Sequence, residues 1–246
     1  MRAAVTRARG VMELADVPAP GEPGPGEVIV RPQAVGICGS DFHYFLGEIG
    51  DQAQYPRIQG HEVGATVDAV GPDCTRGLSA GDSVALHPLT HCGHCYPCRI
   101  GRTNVCDNFS LIGIHEDGGF QERLRMSEEL VFPTGERRAQ IAALAEPLSI
   151  AVRAINRSEL QAGEHVVIFG AGPIGQAICL LARERDAPVL MIDPVASRLE
   201  IGALMGAETM PWSDAVIESA REWASPSGYG AYLDTLHELL SARMGR

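Results

Sequence analysis

The chain has 246 residues, of which 45% are hydrophobic and 21% charged, a balance typical of a soluble globular protein rather than of a disordered or fibrous chain. Its formal net charge of −11 argues against nucleic acid as a partner, because nucleic-acid binding needs a positive patch that neutralises phosphates. Residues 1–10 lack the apolar core of a signal peptide, and no apolar run approaches the ~20 residues that span a bilayer. We therefore expect a cytoplasmic protein.

The first half of the chain alternates β-rich runs with turns. Residues 28–30 and 62–70 are such runs, separated by glycine and proline clusters, and this pattern predicts a small all-β or barrel-like domain. A loop rich in cysteine and histidine follows over residues 86–108. Helical spacing of apolar residues then predicts a helix over 141–155, interrupted by Pro147. We place a domain boundary near Ile150, which gives domains at residues 1–150 and 151–246.

The second half has the pattern of a parallel α/β sheet. Residues 166–169 form a continuous apolar run, which is typical of a strand buried on both faces. A helix is predicted over 173–185, a second strand over 189–192 and a second helix over 196–205, which together make a βαβα unit. The tail predicts one helix that opens at Ser213 and another with apolar residues at Leu233, Leu236, Leu239, Leu240 and Met244.

Four closely spaced cysteines lie in the cysteine-rich loop: Cys92, Cys95, Cys98 and Cys106. Four thiolates can close a tetrahedral Zn²⁺ site with no open position, which predicts a structural rather than a catalytic zinc. The alternative is a set of unligated thiols. An odd cysteine count without a secretory segment favours metal thiolates over disulfides. We expect the interleaved His91 and His94 to point outward.

A glycine-rich turn follows the first strand of the α/β unit. Gly170, Gly172 and Gly175 are spaced to permit a tight turn, close approach of a pyrophosphate to a helix N-terminus, and close packing of that helix. Asp193 ends the next strand, where a carboxylate accepts hydrogen bonds from an adenosine ribose and repels a 2′-phosphate. The pattern therefore predicts NAD binding and favours NAD over NADP. The alternatives are an ordinary tight turn and a helix-capping role for Asp193.

A third group of residues is more dispersed. Cysteine, histidine and carboxylate side chains are the ligands of an open, catalytic zinc, and three short segments supply them. Taken alone, a histidine or cysteine in an apolar run is more often a core residue than a metal ligand. The segments contain Cys38, Ser40 and His43; His61 and Glu62; and Glu146.

Taken together, in this order and spacing, these motifs resemble the zinc-dependent medium-chain alcohol dehydrogenases. The similarity is greatest to the branch of sorbitol, L-idonate and L-threonine dehydrogenases, and it extends from Met1 to about Thr235. It implies a GroES-like catalytic domain followed by a Rossmann domain, with the active site in the cleft between them. The expected reaction is hydride transfer to NAD from a small secondary alcohol, polyol, sugar acid or amino alcohol.

The resemblance also implies roles for individual residues. Cys38, His61 and a carboxylate hold the catalytic zinc, and the carboxylate is Glu62 or Glu146, bound directly or through water. Asp41 orients His61. Ser40 and His43 match a proton relay, for which the alternatives are a turn hydroxyl and a surface histidine. Tyr44 matches a substrate contact, or else packs in the core. The positions that match NAD contacts are Ile174, Asp193 and Arg198.

The C-terminal part departs from the family pattern. Too few residues follow His165 for a six-stranded Rossmann sheet. Residues 228–235 resemble the fourth strand, and residues 236–246 predict a short amphipathic helix. Relatives use the remaining part for nicotinamide contacts, for the homo-oligomer interface and for a return segment. Two hypotheses follow: an NAD-dependent zinc dehydrogenase with a short tail, or a non-catalytic, zinc-stabilised remnant or binding module. A zinc-ribbon nucleic-acid binder is a third possibility, which the negative charge argues against.

Overall fold

A computed structural model of the protein describes residues 1–224. The contacts divide the chain into two compact units, Met1–Glu146 and Pro147–Arg246. The predicted boundary at Ile150 lies just after this division. The elements proposed for residues 228–235 and 236–246, including the helix with Leu233 and Met244, lie outside the described residues. No helix within residues 1–224 combines the length and the apolar character needed to cross a membrane.

The first unit is predominantly antiparallel β-structure, as predicted. Its strands are β1 Arg2–Ala8, β2 Val11–Asp16, β3 Glu27–Gly36, β4 Arg57–Ile58, β5 Glu62–Val70, β6 Ser83–Leu86, β7 Leu89–Thr90, β8 Ser110–Leu111, β9 Leu124–Ser127 and β10 Val131–Pro133. The largest sheet has five strands in the order β10-β6-β5-β3-β9, and a three-stranded sheet has the order β2-β1-β4. The helices are α1 Gly39–Phe45, α2 Tyr96–Arg99 and α3 Ala139–Ala143, with α4 Ala145–Ser158 beginning at the division.

The core of the first unit forms where β3 and β5 pair. Val28, Val30, Val63 and Val67 are each at most 2% exposed and belong to one apolar cluster. Alternation along a pleated strand places these β-branched side chains on the same face. The β3 and β5 pair runs antiparallel, with Gly36 opposite Glu62 at its end. The segments that carry Cys38 and His61 therefore leave the sheet at the same end.

The predicted interruption at Pro147 is wrong in position. The helical segment is broken at Leu144, between α3 and α4, and Pro147 lies in the first turn of α4. A proline is tolerated there because the first N–H groups of a helix have no intrahelical partner.

The second unit is a parallel sheet with helices on both faces. Its elements are β11 Val166–Phe169, α5 Pro173–Arg183, β12 Val189–Asp193, α6 Ala196–Leu204, β13 Glu208–Pro211 and α7 Val216–Ala224, and the strand order is β11-β12-β13. Val189 and Met191 pack toward α5 and α6, whereas Leu190 and Ile192 pack toward α7. A strand buried on both faces explains why residues 189–192 read as a continuous apolar run. The predicted α/β class is confirmed.

Candidate functional site

Three dispersed motifs of the first unit meet at one point. Cys38 is the residue before α1, and His61 and Glu62 lie at the start of β5. One ligand atom from each of these side chains lies within 4.8 Å of the others. His61 is buried, while Cys38 and Glu62 are partly exposed. The fold therefore brings together a thiol, an imidazole and a carboxylate, the donor set of an open zinc site.

Asp41 connects the chain segments on either side of this cluster. Its buried carboxylate accepts hydrogen bonds from the N–H of Cys38 at 2.9 Å and from the N–H of Gly60 at 3.2 Å. Its Oδ1 lies 3.9 Å from Nδ1 of His61, which is longer than a hydrogen bond. That buried Nδ1 has no hydrogen-bond partner in the described part of the chain. Asp41 therefore lies beside His61, but the two side chains are not hydrogen-bonded to each other.

The electrostatics of the cluster favour a thiolate at Cys38. A hydrogen bond from His61 lowers the pKa of the Cys38 thiol and outweighs the opposing effect of burial. Burial alone lowers the pKa of His61, but Cys38 and Asp41 outweigh it, so the net pKa of His61 is raised. Because zinc binds thiolate and neutral imidazole, metal binding here would release a proton from the pair.

Glu62 reaches the cluster because residue 36 is a glycine. A Cβ atom at position 36 would overlap the Oε2 atom of Glu62 and lie 3.0 Å from its Cβ and Cδ atoms. Gly36 faces Glu62 across the β3 and β5 pair, so the carboxylate occupies the space that a side chain would fill. Gly36 was not among the residues predicted for the site; its signal in the sequence is a glycine at the end of a β-rich run, two residues before Cys38.

Glu146 lies near the cluster without belonging to the set of three. Burial raises the pKa of its carboxyl, His61 lowers it, and the negative charge of Glu62 raises it. Those two charge effects mean that Glu146 lies within electrostatic reach of both residues. The sequence left open whether Glu62 or Glu146 is the third ligand. In the structure, a carboxylate oxygen of Glu62 lies within 4.8 Å of the ligand atoms of Cys38 and His61.

The three residues proposed for α1 differ in placement. Ser40 lies at the cluster, with its Oγ 3.4 Å from Nε2 of His61. The His43 side chain is 62% exposed and pairs with Glu48 at 2.7 Å, which matches the surface-histidine alternative. Tyr44 is 0% exposed and donates its hydroxyl to the carbonyl of Gln54. This placement matches the core-packing alternative for Tyr44, because packing between α1 and the following loop buries the ring.

The four cysteines of the predicted structural site also converge. The Sγ atoms of Cys92, Cys95, Cys98 and Cys106 lie within 4.8 Å of one another. Backbone N–H groups point at two of these sulfurs: Cys92 donates to Cys106 at 3.3 Å, and Cys95 donates to Cys92 at 3.4 Å. The interleaved His91 and His94 are exposed, as expected.

Two thiols of the cysteine cluster differ strongly in pKa. N–H groups of His94 and Cys95 lower the pKa of Cys92 to about 5. Burial and the neighbouring thiols Cys95 and Cys106 raise the pKa of Cys98 to about 12. Like charges this close suppress one another's ionisation, and a divalent ion would remove that suppression. The donor set and its N–H···S bonds fit a closed tetrathiolate zinc site.

In the second unit, the glycine-rich turn has the expected geometry. Gly170 has a φ of 105°, a conformation that glycine adopts readily. A Cβ at Gly175 would overlap the carbonyl oxygen of Gly170, whereas one at Gly172 would meet nothing within 4 Å. Gly175 thus permits close packing of α5, and Gly172 leaves an open approach to the backbone. Ile174 follows in the first turn of α5 and is 39% exposed.

Asp193 holds the glycine-rich turn as well as ending β12. Its Oδ2 accepts the N–H of Ala171 and its Oδ1 accepts the N–H of Val195, both at 2.8 Å. Burial raises its pKa, but these two bonds and the charge of Arg198 outweigh it, so the pKa is lowered. Arg198 lies 3.6 Å away and is half exposed. Asp193 is therefore a buried carboxylate that holds the glycine-rich turn, a contact distinct from the helix-capping and ribose-binding roles considered for it.

Comparisons with known proteins agree with this arrangement. Residues 24–136 match the model of the alcohol dehydrogenase GroES-like domain. An uncharacterized zinc-type alcohol dehydrogenase-like protein of Haemophilus influenzae is 40% identical, with 78% of this chain and 56% of the relative covered. The L-galactonate-5-dehydrogenase of Escherichia coli K12 is 37% identical, with 74% and 55% covered. The chain belongs to the zinc-dependent medium-chain alcohol dehydrogenase family.

A solved structure of the family extends the match across both units. The crystal structure of a short chain alcohol dehydrogenase (rspB) from Escherichia coli CFT073, complexed with NADH, is 33% identical with a TM-score of 0.81. The match covers 90% of this chain and 66% of that chain. The chain spans a little over half the length of the first curated relatives that it matches.

Proposed function

We propose that this chain supplies the metal site and part of the coenzyme site of an NAD-dependent zinc dehydrogenase. The expected substrate is a small secondary alcohol, a polyol, a sugar acid or an amino alcohol. The observation that carries the proposal is the grouping of Cys38, His61 and Glu62 beside Ser40. The similarity of this chain to an L-galactonate-5-dehydrogenase supports the proposed substrate class.

The proposed catalytic zinc is held by Cys38, His61 and Glu62. The lowered pKa of Cys38 and the unpartnered Nδ1 of His61 beside Asp41 fit this assignment, because a ligating histidine is normally oriented by a hydrogen bond from its second nitrogen. Glu146 is proposed to stand next to the ion rather than on it. The four cysteines from Cys92 to Cys106 are proposed to hold a second, structural zinc.

When bound, zinc acts as a Lewis acid that lowers the pKa of an alcohol hydroxyl. Ser40 is proposed to relay the hydroxyl proton: its Oγ, which lies at the cluster against His61, would accept that proton while its own hydroxyl proton passes to water. His43 pairs with Glu48 at the surface, where an imidazole can exchange protons with water. The Asp41 carboxylate holds the segments of Cys38 and Gly60 together by accepting a hydrogen bond from the backbone N–H of each. Proton removal from the substrate is thus assigned to the residues of α1.

The proposed coenzyme site is the turn between β11 and α5. The N-terminus of α5 favours a pyrophosphate, and Gly172 leaves the backbone open to it. The Asp193 carboxylate has further lone pairs for ribose hydroxyls, and its charge disfavours a 2′-phosphate. Ile174 and Arg198 complete the proposed contacts. We therefore propose NAD as the preferred coenzyme.

Calorimetric titration of the zinc-loaded chain with NADH and with NADPH tests the proposal. We expect micromolar binding of NADH and much weaker binding of NADPH. Binding of neither, with two zinc ions per chain, would favour the non-catalytic remnant or binding module. In a panel of alcohols, Cys38→Ala is expected to abolish turnover without unfolding the protein. Cys74→Ala serves as the matched control, because Cys74 belongs to neither group of metal-ligating residues and its thiol donates to the Glu27 carbonyl.

A further inference from the structure

A chain of buried polar side chains leads from β1 to the metal cluster. Thr6 and Gln59 are both 0% exposed, and Asp41 is 4% exposed. Burial of an amide, a hydroxyl and a carboxylate costs free energy unless each is hydrogen-bonded. The Thr6 hydroxyl donates to Oε1 of Gln59 at 2.6 Å, and Nε2 of Gln59 donates to the backbone carbonyl of Asp41 at 2.8 Å. The three residues belong to segments far apart in the sequence.

The amide of Gln59 can adopt only one orientation in this environment. If it were flipped, Oε1 would face the carbonyl oxygen of Asp41, and two acceptors would oppose each other without a proton. The Asp41 carbonyl, which can only accept, selects the observed orientation, and the Thr6 hydroxyl then donates to the oxygen end. Nε2 also lies 3.4 Å from Oδ1 of Asp41. Gln59 therefore holds both the backbone and the carboxylate of Asp41 from within the core.

The hold on Asp41 bears on the cluster directly. The same Oδ1 accepts the N–H of Gly60 at 3.2 Å and lies 3.9 Å from Nδ1 of His61, while Oδ2 accepts the N–H of Cys38 at 2.9 Å. A rotation of the Asp41 carboxylate would release Cys38 and move the acceptor away from His61. Gln59 adds a side-chain donor to the two backbone N–H groups that hold this carboxylate, and it anchors the Asp41 backbone carbonyl at 2.8 Å.

We propose that Gln59 is a positioning residue of the metal site. Fixed by Thr6, its amide holds Asp41 in the orientation that aligns Cys38 and His61 for a divalent cation. The inference rests on the proposed function, because it requires that Cys38, His61 and Glu62 bind a metal ion. It assigns Thr6 and Gln59 a role in metal binding although neither residue is one of the proposed ligands.

The test is competition for Zn²⁺ between the full-length chain and a chromophoric chelator, followed by the visible spectrum of the Co²⁺-substituted protein. Methionine has a similar size to glutamine but no amide. In Gln59→Met we expect the zinc affinity of the Cys38 site to fall about 10-fold to 100-fold; this site is identified as the one that is lost in Cys38→Ser. The Co²⁺ spectrum of that site should change. The tetrathiolate site should keep its wild-type affinity and spectrum, which serves as an internal control in the same molecule.

Variants of Thr6 distinguish positioning from general stability. Thr6→Ser keeps the hydroxyl and should retain the wild-type zinc affinity of the Cys38 site. Thr6→Val removes the hydroxyl and should lower that affinity. Because Thr6 acts through Gln59, Thr6→Val should add little in the Gln59→Met background. Wild-type affinity and an unchanged Co²⁺ spectrum in Gln59→Met would refute the inference, as would equal weakening of both zinc sites. If wild-type protein and Cys38→Ser bind the same number of ions, the proposed function itself fails, and the inference fails with it.

Discussion

Gly36→Ala tests whether the glycine opposite Glu62 is needed for the metal cluster. The added Cβ would overlap Oε2 of Glu62 and lie 3.0 Å from the Cβ and Cδ atoms of that side chain. The carboxylate is the end of a flexible side chain, so it can swing away from the new methyl group, and this movement takes it out of the cluster. We therefore expect a larger effect on metal binding than on folding.

Two opposing effects set the change in the free energy of unfolding: the lower conformational entropy of the unfolded alanine chain and the steric cost of the added methyl group. Alanine is favoured over glycine in a strand by about 0.5–1 kcal/mol, whereas added atoms in a packed site cost about 1–3 kcal/mol. Because the Glu62 carboxylate can move, we expect the free energy of unfolding of the zinc-free protein to change by about 1 kcal/mol or less. Displacement of a ligand should weaken zinc binding at the Cys38 site by at least about 10-fold, since even residues behind the ligands contribute that much.

The assay is zinc competition with a chelator, together with urea unfolding of the zinc-free protein. Gly39→Ala is the matched control, because a Cβ at Gly39 would meet nothing within 4 Å although that residue follows Cys38 directly. Gly39→Ala should bind zinc as the wild type does. Wild-type zinc affinity in Gly36→Ala would show that the position of Glu62 does not matter for the site, and Glu146 would become the better candidate for the third ligand.

Two further predictions concern other parts of the first unit. Cys95→Ala should lose the zinc ion of the tetrathiolate loop and make residues 91–109 sensitive to limited proteolysis, while Cys74→Ala should not; an unchanged zinc content in Cys95→Ala would contradict the structural site. The N–H groups of Thr75 and Arg76 lower the pKa of Glu128. Its contribution to stability is therefore present above the unfolded pKa of ~4.3 and is lost as the pH falls through the lower folded pKa. Thermal unfolding between pH 2 and pH 7 should show a weaker pH dependence below about 4.3 in Glu128→Gln, and identical pH profiles would refute this.

The strands and helices that bury a continuous or periodic apolar pattern were predictable from the sequence. Residues 189–192 form the central strand of the described parallel sheet, whose two faces both exclude polar side chains, and residues 166–169 form the strand beside it. Strand β13, Glu208–Pro211, was missed because it is mostly exposed and carries no such pattern. Helix α1 was missed as well, since its seven residues are too few to establish a helical period.

The sequence by itself determined the donor types and their local spacing: four cysteines in one loop, a glycine-rich turn after a buried strand, and Cys38, His61 and Glu62 in separate segments. Only the tertiary structure decided which distant groups meet. It placed Glu62 rather than Glu146 with Cys38 and His61, put Tyr44 in the core and engaged Asp193 with the turn at Ala171. The reason is physical. Spacing along the chain fixes local ligand geometry, whereas contacts between β3, β5 and α1 depend on strand register and packing, which no local pattern encodes.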